Sequence, residues 1–89
     1  MKILILNGPN LNLTGKRETK LYGTLSFDDY IKELRIRFPD LELDYHQTNV
    51  EGELINKMQK ADFDYNAIIL NAGAYTHTSI AIGDTIKGI

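Results

Sequence analysis

Ile3-Leu4-Ile5-Leu6-Asn7-Gly8-Pro9-Asn10 sets a short, unbroken apolar run against an abrupt Asn-Gly-Pro stop. A β-branched and leucine run without alternation predicts a strand buried on both faces, the kind that lies inside a parallel sheet. Ala67 to Leu70 repeats the pattern before Asn71-Ala-Gly, so a second strand with both faces covered is expected there. Between them, Leu41, Leu43 and Tyr45 alternate with Glu42, Asp44 and His46, which predicts a half-buried strand near the sheet edge with His46 pointing outward. Ser26 and Asp29 have capping-box spacing, and Phe27, Tyr30, Ile31, Leu34 and Phe38 recur at helical intervals until Pro39, giving a helix from about Phe27 to Arg37. Thr48 and Glu51 repeat the spacing ahead of a Leu54, Ile55, Met58, Ala61 stripe, and a third helix opens at Thr78 with Ile80, Ala81, Ile82 and Ile86. The order β-α-β-α-β-α predicts right-handed crossovers and an α/β fold built on a doubly wound parallel sheet.

Eighty-nine residues fit one domain, residues 1–89, and a chain of that size removes only about 60–65% of its unfolded surface from water. With the first strand in the middle, the edge of Ala67 to Leu70 is left bare, so further βα units of roughly 30 residues each, continuing this chain or supplied by another, are expected to pair there. The composition, 43% hydrophobic and 25% charged, is that of a globular domain. A net charge of −2 without a Lys/Arg block does not fit nucleic acid as a partner. The absence of cysteine excludes disulfides and thiolate metal sites, and two histidines with no HxxxH spacing or acidic cluster do not make a metal site. The N-terminal apolar run is too short for a signal peptide or membrane span, which points to the cytoplasm.

The chemistry-bearing segments follow the carboxyl ends of strands, where open α/β sheets bind ligands. The first is Asn7-Gly-Pro-Asn-Leu-Asn-Leu-Thr-Gly-Lys-Arg-Glu-Thr-Lys-Leu-Tyr-Gly23, and the last is Asn71-Ala-Gly-Ala-Tyr-Thr-His-Thr-Ser79. Together with Gln47-Thr-Asn-Val-Glu-Gly-Glu-Leu-Ile55 they resemble type II 3-dehydroquinate dehydratase in order and spacing over essentially the whole chain. Gly8 and Gly15-Lys16 only superficially resemble a P-loop: six residues separate the glycines, and Arg17 stands where Ser/Thr is required. With no GxGxxG after the first strand, a flavin or nucleotide module is disfavoured.

The resemblance implies a flavodoxin-like fold with three βα units present and the C-terminal units missing. It also implies dehydration of 3-dehydroquinate to 3-dehydroshikimate in the shikimate pathway, by anti elimination through an enol or enolate, without metal or cofactor. Tyr22 holds the position of the catalytic base. Its phenol must drop by about three pH units to ionise near neutrality, roughly 4 kcal/mol in favour of the phenolate. Arg17, at the family's arginine position, supplies a charge that a guanidinium cannot give up. The alternative for this pair is a loop-capping tyrosine and a solvated arginine. Asn10 matches the asparagine that holds a water against the developing enolate oxygen; its other reading, shared with Asn7 and Asn12, is a turn hydrogen bond. Asn71 and His77 match substrate-contacting positions, helped by exposed amides at the third helix start, although a loop histidine is ordinarily surface.

Asp84 falls where the family sends an acidic residue into a neighbouring subunit, in a homo-oligomer that the resemblance makes a dodecamer built of trimers. Glu51 reads equally as a helix-start carboxylate, and Tyr75 and Thr76 as turn-shaping residues. Thr19, Val50 and Gly83 depart from the common proline, histidine and arginine. The family's general-acid histidine, serine loop and arginine clamp are expected beyond Ile89. Were the chain to end there, a non-catalytic binding or assembly subunit would be the competing reading.

Overall fold

The computed structural model describes residues 1–13 and 26–89. Three parallel strands, β1 (Lys2–Asn7), β2 (Glu42–Gln47) and β3 (Ala67–Asn71), form a sheet in the order β2-β1-β3. The helices are α1 (Phe27–Arg37), α2 (Glu51–Asp64), the single turn α3 (Tyr75–Thr78) and α4 (Ile80–Gly88), with a 3-10 turn at Leu11–Leu13. β1 is central because it alone can be buried on both faces. Leu4 and Leu6 pack with Leu54, Met58 and Ala61 of α2 and Ile82 of α4, whereas Ile5 lies on the opposite face. Register extends these faces across the sheet: Leu6 aligns with His46 and Leu70, and Ile5 with Tyr45 and Ile69. The Leu6 face is therefore the α2/α4 layer, and the Ile5 face is the α1 layer.

Ser26 caps α1 as its spacing predicts, its Oγ accepting the Asp29 amide at 3.1 Å. Ile31 is the buried residue of that helix, while Tyr30 and Phe38 are exposed, so the core stripe is narrower than the periodicity. Phe27 stacks on Tyr45, with ring centroids 5.1 Å apart. Burial raises the pKa of the Tyr45 phenol, the Asn7 amide opposes the shift, and Asp28 adds to it.

Four sequence expectations need correction. Thr48 does not cap α2: its Oγ1 accepts the Val50 amide at 3.1 Å and donates to Glu53 at 2.5 Å, and the helix starts at Glu51 behind Val50, which makes no side-chain cap. A hydroxyl that closes a local turn onto the amide two residues on is no longer free for the helix end. The third helix is not continuous from Thr78. A single turn, α3, precedes it, and Ser79 caps α4 by accepting the Ile82 amide at 2.9 Å. β3 is not covered on both faces: Ile68 and Leu70 pack on the core, but Ile69 is 55% exposed because α1 packs over β2. His46 is likewise less outward than its alternation suggested, being half-buried on the α2 face with a buried Nε2 that has no hydrogen-bond partner among the described residues.

Candidate active site at the strand ends

Asn7, Gln47 and Asn71 stand in one register row at the carboxyl ends of the three strands, placing three amides side by side on the α1 face. Asn7 is 2% exposed, with its side-chain amide beside the Tyr45 phenol, whereas Asn71 is exposed. Beyond the row, the three loops are pressed together. The Gly8 amide donates to the Asn71 carbonyl at 2.7 Å, and a Cβ on Gly8 would lie 2.5 Å from the Ala72 carbonyl oxygen. Only a residue without a side chain fits that seam. Across it, Gly73 takes φ +60 against Pro9, and its amide donates to Asn71 Oδ1 at 3.1 Å in an Asx turn.

Asn10 is the candidate that the backbone singles out. Its φ of 67° is left-handed, a conformation that costs a residue with a Cβ and that asparagine tolerates better than most. The residue is exposed, its amide donates to Asn49 Oδ1 at 3.0 Å, and its carbonyl accepts Leu13. Asn10 thus fulfils the turn reading through its main chain, while its side chain is left without a protein partner among the described residues.

Asn71 spends Oδ1 on the Asx turn, and its Nδ2 has no partner among the described residues. His77 lies in α3, exposed, with no side-chain bond among the described residues. It stands on its own short turn and not at the amino end of α4. Asp84 is exposed midway along α4, with no side-chain bond among the described residues. Asn10 and Asn71 are therefore brought together through the Gly8 seam, His77 follows on the same loop, and Asp84 stands apart. Tyr22 and Arg17 lie outside the described residues. The described residues hold no cluster of three or more metal-ligating side chains, and none of their helices is long and apolar enough to cross a membrane.

Sequence reasoning passed over the ties between loops. Gln47 Nε2 donates to the Gly8 carbonyl and to Asn49 Oδ1, both at 3.0 Å. The Tyr75 hydroxyl donates to the Asn49 carbonyl at 2.9 Å, so Tyr75 does more than shape its own turn. The available signal for Gln47 and Asn49 was their place at the carboxyl end of β2.

The family model for dehydroquinase class II matches residues 1–89. The chain belongs to the class II dehydroquinase family. It is 57% identical over 90 residues to a 3-dehydroquinate dehydratase of Exiguobacterium sp., covering 100% of this chain and 61% of that protein. With the 3-dehydroquinate dehydratase of Fusobacterium nucleatum the identity is 51%, over 100% of this chain and 64% of the relative. The crystal structure of the type II dehydroquinase from Butyrivibrio crossotus superposes with a TM-score of 0.90 at 38% identity, covering 99% of this chain and 63% of that one. The chain therefore spans about three fifths of the length of these dehydroquinase relatives.

Proposed function

We propose that the protein carrying this chain is a 3-dehydroquinate dehydratase that removes water by anti elimination through an enolate. The Tyr22 phenolate takes a proton from the carbon beside the ketone, helped by the fixed charge of Arg17. Asn10 holds a water against the enolate oxygen, Asn71 and His77 bind the substrate's polar groups, and the hydroxyl departs as water once protonated from beyond Ile89. The single observation that carries this reading is the Asn10 geometry. A left-handed asparagine sits at a strand end, its main chain anchored and its side-chain amide without a partner among the described residues, which suits a preorganised dipole.

Residues 1–89 form one domain in this reading, working in the cytoplasm. Asp84, detached from its own strand-end loops, serves a neighbouring copy in a dodecamer built of trimers. The test is formation of the conjugated enone product by the intact protein. Tyr22→Phe is expected to lose about 100-fold or more in kcat, and wild-type turnover by that variant refutes the base assignment. Losing Arg17 to Ala should move the acid limb of the pH–rate profile upward, toward an unassisted phenol. Binding of a substrate analogue without turnover by the wild type would favour a non-catalytic subunit.

A further inference from the structure

Asn49 joins all three strand-end segments through one residue. Its Oδ1 accepts both the Asn10 main-chain amide and Gln47 Nε2, each at 3.0 Å, and its carbonyl accepts the Tyr75 hydroxyl at 2.9 Å. Both groups facing its side chain are donors, so chemistry fixes which amide atom points inward: only the oxygen can sit there. The Asn49 Nδ2 has no partner among the described residues, so the side chain works as an acceptor alone. The Asn10 backbone at φ 67° needs support to persist, and this bond from the β2 loop is the one that holds its amide.

We infer that Asn49 is a positioning residue for Asn10, locking the left-handed backbone that aims the Asn10 side chain into the site. The inference rests on the role of Asn10 in the proposed elimination. A misaimed dipole still lets substrate bind but no longer meets the charge that develops in the transition state, so the effect falls on kcat and spares KM.

In the intact protein, normalised to folded fraction by circular dichroism, Asn49→Ala is expected to lower kcat about tenfold with KM changed less than about twofold. Asn49→Asp keeps the acceptor and should stay within about threefold of wild type. Asn10→Gly tolerates the positive φ and removes the side chain; adding Asn49→Ala to it should cost nothing further, because both changes act through one group. A readout independent of turnover is the Asn10 amide proton, which should shift and exchange faster in Asn49→Ala but not in Asn49→Asp. Should Asn49→Ala fail to fold, Asn49→Ser, whose hydroxyl is too short to reach both donors, is read the same way.

Additive losses in the double variant, or Asn49→Asp as damaged as Asn49→Ala, overturn the inference. So does full kcat in Asn49→Ala beside a slow Asn10→Gly, which sinks the tether alone. Wild-type turnover by Asn10→Gly sinks the role of Asn10 itself, and the tether's purpose with it.

Discussion

The two strands beside β1 end the sheet differently. On β2, the Glu42 amide bonds Met1 and the Thr48 amide bonds Asn7, so even-numbered residues face β1 and the Leu43 carbonyl faces out. Arg35 closes that carbonyl with two hydrogen bonds, from Nε at 3.2 Å and Nη2 at 2.9 Å. Polar residues alternate along the strand. On β3, among the described residues, no strand pairs the outer side, and Ile69 stands exposed within an all-apolar run. A guarded edge resists another strand, whereas an apolar open one invites it. The difference teaches that the two sides of one sheet can be finished in opposite ways, β2 with a guarded edge and β3 with an open apolar one.

The β1–β3 side can be broken at its seam. Gly8→Ala drives a methyl to 2.5 Å from the Ala72 backbone, where no flexible side chain can yield. We expect a loss of about 3 kcal/mol or more, read as a large fall in the urea midpoint; unchanged stability would mean that the two loops part freely. The β2 side is opened more gently. Arg35→Ala leaves the Leu43 carbonyl without its charged donor, which should cost about 1–2 kcal/mol and make light scattering concentration-dependent as the edge begins to pair. A monodisperse, equally stable variant would show that the guanidinium guards nothing.

The smallest effect lies where the start of β3 reaches back to β2. The Tyr65 hydroxyl donates to the Asp44 carboxylate, and Lys2 sits 4.7 Å over its ring. That hydrogen bond, then burial, then the nearby carboxylates push the phenol from 10.0 up to about 12. The folded state therefore holds this proton more tightly than the unfolded chain does. The resulting stabilisation is complete below the unfolded value of 10.0 and is lost as pH climbs through about 12. Tyr65→Phe should remove this contribution: between pH 9 and 11.5 the wild-type urea midpoint falls more steeply than the variant's, and parallel slopes would contradict it.

Much of this contrast was legible in the residues. Ile3 to Leu6 named the central strand and Leu43 with Tyr45 the edge strand, because strand burial writes itself into apolar periodicity. The Ser26 cap was legible for the same local reason. What escaped was whatever depends on competition among partners. The Thr48 hydroxyl had a local turn and a helix end to choose between, and spacing cannot say which wins. Asn49 acquires its importance only when loops 39 residues apart meet, and no window along the chain contains both ends. At the site, Asn10 and Asn71 were named as candidates through motif resemblance, whereas Asn49, inside the motif spanning residues 47–55, was given no role because its partners lie in other loops.

The crossing of the Asn10, Asn49 and Tyr75 segments also bears on how the molecule comes to be. Each bond there links chain portions 26 or 39 residues apart, and the Gly8 to Asn71 bond spans both crossovers. None rewards the polypeptide until the intervening helices have docked, since loop closure must be paid before such contacts return anything. The strand-end seam is thus a product of completed folding: a folding intermediate with only its first two strands paired would have secondary structure and part of a core, yet no contact between the Gly8 and Asn71 loops.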